Sequence, residues 1–255
     1  DIILNSVELT YDTTGNLTID VSTLNQWTPI NWFKGIFDGN GFTVSGVYVN
    51  TTSSAGFFTN NQGILKNLTI KNSYIKGSSS VGGICGSFTK TGAEFSNCEF
   101  HGAVVGNYNV GGLIGTNDCS NIENCINYGN VFGESNVGGI VGKFEAYGID
   151  NSKNYGKITA TGNSVGGIAG NAYYPISGCV NYGDVSGNDY VGGIFGNIFW
   201  GSNVTSCGNV GKITGNNYVG GLIGDNAGIW NDTTISNSYN TGDVIGNSKV
   251  GGLAG

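Results

Sequence analysis

The chain has 255 residues, of which 47 are Gly, 35 are Asn and only 2 are Pro; charged residues are 11%, all ten cations are Lys, and the formal net charge is −7. Abundant Gly and Asn with little Pro supply turns that need positive φ, and weigh against long helices and Pro-rich disorder. A sparsely charged, acidic, Arg-free chain excludes phosphate-backbone binding, so nucleic acid is not an expected partner, and no run approaches the roughly 18 apolar residues of a transmembrane segment. The chain opens at Asp1 with neither Met nor an apolar leader, as expected of a mature product or an excised piece. Five N-x-S/T sequons (Asn16, Asn50, Asn67, Asn203, Asn231) are close to the roughly six expected by chance at this Asn content, and say nothing about compartment.

Residues 1–32 show no repeat. Their apolar residues Ile3, Leu4, Leu9, Leu17, Ile19, Trp27 and Ile30 are expected to form an N-terminal cap over the open end of the core that follows. From residue 33 the chain becomes repetitive, first in degenerate units that include Ala55-Gly-Phe-Phe and Leu65-Lys-Asn-Leu68. Then the block Val-Gly-Gly-(Ile/Leu)-Xaa-Gly recurs seven times, from Val81, Val110, Val137, Val165, Val191, Val219 and Val250, at spacings of 26 to 31 residues. Each block leads through a variable segment to a strand-like stretch ending in Cys98, Cys125, Ser152, Cys179, Cys207 or Ser238. From that Cys or Ser to the next block is 12 residues in five units and 13 in one, so one arc of the unit is fixed and the other is a loop of free length.

Four residues after the Cys or Ser stands a Gly (Gly102, Gly129, Gly156, Gly183, Gly211, Gly242), which predicts a turn in every unit. Two residues later comes Val or Ile. Short β-branched segments separated by turns, in units too small to bury their own apolar face, predict one all-β domain: a right-handed parallel β-helix of about eight coils with roughly three strands per turn, over 33–255 and continuous with the cap. The last block ends at Gly255, which predicts an uncapped C-terminal coil.

The blocks Val110-Gly-Gly-Leu-Ile-Gly and Val219-Gly-Gly-Leu-Ile-Gly, the stretch Ile122-Glu-Asn-Cys-Ile-Asn-Tyr-Gly-Asn-Val and the entry Phe33-Lys-Gly-Ile-Phe-Asp-Gly-Asn-Gly resemble GLUG-motif repeats. That resemblance implies a β-helical stalk or binding region of a large secreted or surface-anchored microbial protein, among them adhesins and some immunoglobulin A peptidases. It does not imply peptidase activity. That would need a zinc motif of the His-Glu-x-x-His kind, and His101 is the single His.

In register, repeat positions become columns. Cys98, Cys125, Cys179 and Cys207 share one with Ser152 and Ser238, which points to packing and free thiols rather than to metal; pairing of Cys85 with Cys119 is left open. Asn127, Asn154, Asn181, Asn209 and Asn240 form a second column, and Asn97, Asn124, Asn151 and Asn237 a partial third, both read as stacked amide ladders. Lys157, Asp184, Lys212 and Asp243 alternate in sign and are expected to form a surface ion ladder. Tyr128, Tyr155 and Tyr182 stack either to shield the Gly turn or as a flat stripe for a sugar ring. The variable block position (Cys85, Ile114, Val141, Ala169, Phe195, Ile223, Ala254) is expected to face inward.

No residue set identifies a nucleophile, an acid–base pair or a ligand cluster, so no catalytic, cofactor-binding or metal residues are assigned. The expected function is that of a non-catalytic extracellular stalk or adhesin segment, with a head-to-tail filament subunit as the alternative and a polysaccharide-acting enzyme ranked below both. Its expected partners are a surface glycan, a host or cell-surface protein, or, end to end, another copy. Ligand contact is expected from loop aromatics: Phe88, Phe144, Tyr147, Tyr173, Tyr174, Phe199, Trp200 and Trp230.

Overall fold

The computed structural model describes residues 1–90, 92–118, 120–200, 202–226 and 233–255; Cys119 and Trp230 lie outside them. Each coil lies on the next in parallel register, with Val110 paired to Val137 and Asn127 to Asn154, so equivalent repeat positions stack into straight columns. Four sheets form the walls. The first has eight strands, from Ile36–Asp38 to Ile235–Ser236. The second is fifteen-stranded and contains two arcs, such as Ile126–Asn127 and Asn130–Gly133, fused through the long strands Thr69–Lys76 and Glu99–Val105. The third and fourth have seven strands each, running from Ser79–Gly82 to Ser248–Gly251 and from Phe58–Asn61 to Ile223–Asn226. The protein is an all-β parallel β-solenoid of about seven full turns, one fewer than the repeats suggested, and its coils have four walls instead of three strands.

The additional bends escape a search for Gly and Pro because other residues make them. Asn67, Asn97, Asn124, Asn151, Ser206 and Asn237 hold φ between 48° and 54° at the corner between the first and second walls. The partial Asn column is therefore chiefly a column of left-handed corners, with one amide link, from Asn97 Nδ2 to Asn67 Oδ1 at 3.2 Å, and Asn is the side chain that tolerates this conformation best after Gly. The next residue closes the corner. Its side chain donates to the carbonyl two residues back: Cys98 Sγ to Ser96 at 3.2 Å, Cys125 Sγ to Glu123 at 3.2 Å, Ser152 Oγ to Asp150 at 3.0 Å and Ser238 Oγ to Ser236 at 2.8 Å. A small donor is all this position asks for, which explains why Cys and Ser interchange there.

The Asn127 column, in the first arc of the second wall, is buried inside the solenoid except at Asn240, which is partly buried. Each amide donates once within its own coil and once to the next: Asn127 Nδ2 reaches the Gly129 carbonyl at 2.7 Å and Asn154 Oδ1 at 2.8 Å, and the links from Asn154 to Asn181, Asn181 to Asn209 and Asn209 to Asn240 are 2.7–2.8 Å. The second Gly of the repeat block exists for this column. A Cβ at Gly112, Gly139, Gly167, Gly193 or Gly221 would lie 2.3–2.5 Å from the amide carbon of Asn127, Asn154, Asn181, Asn209 or Asn240. At the first block the Phe100 ring takes the slot, 2.5 Å from a Cβ on Gly83. The Gly column at Gly156, Gly183, Gly211 and Gly242, read from sequence as a turn, is likewise a close approach: a Cβ there would meet the preceding Gly carbonyl at 1.8–2.0 Å.

Around the ladder the core is apolar and continuous. Phe95, Ile122, Ile149 and Val204 face in from the first wall, Val104, Val131, Ile158 and Ile213 from the second, and Val110, Val137, Val165 and Val191 from the third. Cys85, Ile114, Val141, Ala169, Phe195 and Ile223 face in from the fourth, while Ala254 is exposed.

Residues 1–32 serve two surfaces. Leu4, Trp27 and Ile30 pack against the main core, with the Trp27 ring stacked on Phe57 at 4.6 Å, whereas Ile3 is exposed. Leu9, Tyr11, Leu17, Ile19 and Leu24 instead lie along the outer side of the second wall, where Tyr48, Tyr74, Ala103, Val105 and Phe132 point outward and need cover.

Substituting Gly167→Ala is expected to destabilise the protein by about 1–3 kcal/mol through overpacking against Asn181 and the Gly193 carbonyl. Gly252→Ala, with nothing within 4 Å of the new carbon, is the matched control. Denaturant midpoints for the two variants check this. Asn181→Ala leaves the Asn154 amide and the Gly183 carbonyl without their partners, at about 1–3 kcal/mol for each buried group left unpaired; hydrogen exchange across residues 150–215 would show the protection lost.

Candidate functional site

Phe88 and Phe144 do not belong to a contact surface. They are fully buried in the fourth wall, in register with each other through Asn117, and Phe88 packs edge-on to Phe95 at 5.6 Å. The signal for this was present two residues after the last Gly of each block, where Phe88, Phe144, Ala172 and Ile198 recur. Among the other expected contacts, Tyr147 is exposed, and Trp230 lies outside the described residues.

The remaining four come together. The chain brings Tyr173 and Phe199 into register just beyond the inward-facing Ala172 and Ile198, and their rings stack at 5.0 Å and 14°. Trp200, 51% exposed, stands edge-on to Tyr173 at 5.5 Å and 89°. Tyr174 is partly buried and packed against the core. With Glu145 from the preceding coil, Tyr173, Tyr174 and Trp200 line a cleft of about 230 Å³. The side chain of Glu145 is held by Lys143, whose Nζ lies 2.8 Å from its Oε1, and the carboxylate holds the Lys143 pKa above its ordinary value. Asp118, one coil further back, is partly buried; that burial, and then the Glu145 charge, push its pKa above the usual carboxylate range. Two perpendicular aromatic walls beside an ion pair can hold a small amphipathic ring, apolar on its face and polar at its edge.

The tyrosine stripe cannot do the same. Tyr128, Tyr155 and Tyr182 stack on one another at 5.0 and 4.7 Å and within 7° of parallel, and His101 extends the stack at 4.4 Å. Their faces are consumed by each other along the coil axis, so they offer edges to solvent and no platform for a sugar. Of these, His101 also lies 3.5 Å from the Glu99 carboxylate.

The ion ladder is corrected too. Among the described residues the ion pairs are Lys66–Asp38 and Lys143–Glu145, with His101 charged against Glu99 only when protonated, and none joins Lys157, Asp184, Lys212 or Asp243. Asp184 Oδ1 accepts instead from the Lys212 backbone N–H at 2.9 Å, as Asn130 Oδ1 does from Lys157 at 3.0 Å. A short carboxylate or amide can cap the next coil's backbone, while the long Lys side chain gains little by being fixed at the surface. The thiols of Cys85, Cys98, Cys125, Cys179 and Cys207 are free and buried, and burial raises those of Cys85, Cys125 and Cys179 above the ordinary thiol range.

Fold and columns together define a parallel β-solenoid with a ladder-stabilised core and an aromatic cleft just beyond the strands of its fourth wall. The chain carries the GLUG motif: the motif's sequence profile matches residues 215–245. Halomucin from Haloquadratum walsbyi is 31% identical over 131 residues, which is 46% of this chain and 1% of the relative, so this chain spans a very small part of that protein's length. A crystal structure from Bacteroides ovatus, described as a candidate immunoglobulin A1 protease, superposes with a TM-score of 0.53 at 18% identity, covering 91% of this chain and 75% of the other. At that identity the likeness is one of fold.

Two outcomes are expected. Lys157→Asp should change stability by less than about 0.5 kcal/mol, as for a surface position without a partner charge, and a denaturant midpoint decides it. In the native protein no more than one thiol, Cys119, should react with a disulfide reagent at neutral pH, the other five appearing only on unfolding; a colorimetric thiol count in buffer and in denaturant reads this directly.

Proposed function

We propose that the chain is a non-catalytic, extracellular segment, secreted or held at a cell surface, that acts as a rigid spacer and makes adhesive contact with carbohydrate through the cleft of Glu145, Tyr173, Tyr174 and Trp200. The cleft carries the reading. It places a half-exposed Trp and two Tyr beside a carboxylate, one or two residues beyond the strands Val141–Phe144, Ala169–Ala172 and Phe195–Ile198, whose backbones are fixed by parallel pairing to the adjacent coils. A rigid support of this kind lowers the ordering cost of binding. The halomucin likeness supports the extracellular part of the proposal.

Binding of the isolated chain to surfaces coated with different polysaccharides is the test. Trp200→Ala and Tyr173→Ala should each weaken retention by about tenfold or more, since hot-spot aromatics typically contribute 2 kcal/mol or more, with an unchanged far-ultraviolet circular dichroism spectrum. A wild-type chain that binds none of the surfaces would leave the spacer role and remove the adhesive one.

A further inference from the structure

We infer that the cleft selects a neutral pyranose, gripped through two neighbouring ring hydroxyls, over uronic acids and amino sugars. This deepens the adhesive reading and rests on it. The polar edge of the cleft is Glu145, and Lys143, behind it and outside the lining, places its Nζ 2.8 Å from Glu145 Oε1. Both side chains are about one-third exposed, so the pair is neither sealed in the core nor freely solvated. The two residues flank Phe144, whose inward-facing ring fixes the backbone between them.

An ammonium has three donors and this one spends a single N–H on Glu145; the carboxylate keeps its second oxygen. The ammonium therefore keeps two donors beside the carboxylate's free acceptor, and one of each is the complement of two adjacent hydroxyls, each able to give and to receive. Charge-assisted hydrogen bonds of this kind are the stronger ones. The apolar side of the same ring can lie against Trp200 or in its angle with Tyr173, and a volume of about 230 Å³ admits about one sugar ring.

Charge decides among sugars. Lys143 and Glu145 cancel, and the Asp118 carboxyl, whose charge interacts with both, adds no cation, so the surroundings are neutral to negative. A uronate carboxylate would meet an ammonium already neutralised by Glu145, and would set a second negative charge beside that carboxylate. An amino sugar would have to compete with Lys143 for Glu145, giving up a 2.8 Å contact to make an equivalent one. A neutral ring needs neither exchange.

The test is calorimetric titration of the wild-type chain with neutral hexasaccharides of glucose, mannose and galactose, with a galacturonic acid hexamer and with a glucosamine hexamer. The expected result is binding of at least one neutral hexamer, about tenfold or more tighter than either charged one. Glu145→Gln and Lys143→Met should each weaken that neutral hexamer by about tenfold, the size expected for losing a hydrogen bond to a charged group. The double exchange Lys143→Glu with Glu145→Lys restores donor and acceptor in reversed order and should recover most of the affinity. Equal or tighter binding of a charged hexamer, or single variants that bind as wild type does, overturns the inference and leaves the adhesive reading standing. Failure of the wild type to bind any hexamer, together with failure on the polysaccharide surfaces, overturns both.

Discussion

A carboxamide buried in an apolar tube has two donors and an acceptor that must all be satisfied there, and in this protein one donor and the acceptor meet the copies in the adjacent coils while the second donor meets the Gly carbonyl two residues on. That requirement sets much of the rest. The amide must sit at the same height in every coil, which fixes the 12-residue arc between the corner and the block while the loop on the other side varies in length. It must also have room, and the room is made by deleting a side chain from the opposite strand. Block and ladder are thus one device. The Gly-Gly pair is conspicuous in the sequence, but it is the recess, and the Asn is what fills it.

The corners obey a second economy. A solenoid has to turn several times per coil, and this one does so with single left-handed residues that keep the flanking strands short. Where the corner residue is Asn or Ser its conformation costs little; at the corner before the third wall's Val, Tyr190, Tyr218 and Lys249 adopt φ of 51–58°, which bulky side chains rarely do. There the side chains support each other outside the coil: the Tyr190 and Tyr218 rings lie 4.9 Å apart, and Lys249 sits over the Tyr218 ring at 3.9 Å.

Period, parallel pairing and the identity of the columns could be read from the chain because stacking repeats every position in register. What could not be read was which way a residue faces at a corner. Gly82 and Gly83 look like a single flexible point, yet they separate two walls, and Phe88 beyond them turns inward instead of into a loop. Alternating charge at Lys157 and Asp184 looked like pairing because sequence shows side-chain type and not reach; the carboxylate finds a backbone N–H first. The cleft was legible in part. Tyr173, Tyr174, Phe199 and Trp200 stand out as aromatics in variable segments, but Glu145 and Lys143 come from the preceding coil and carry no aromatic signal.

The amide ladder also has a direction. Every link runs the same way, the side chain of the earlier coil giving its proton to the oxygen of the later one, from Asn127 through to Asn240. Aligned amide dipoles add, so the rod is electrically polar along its axis, with the positive end toward the later coils. A finished coil therefore offers its successor an unfilled donor at a fixed height. The two ends of the core are therefore chemically different, donor-bearing toward the later coils and acceptor-bearing toward the earlier ones.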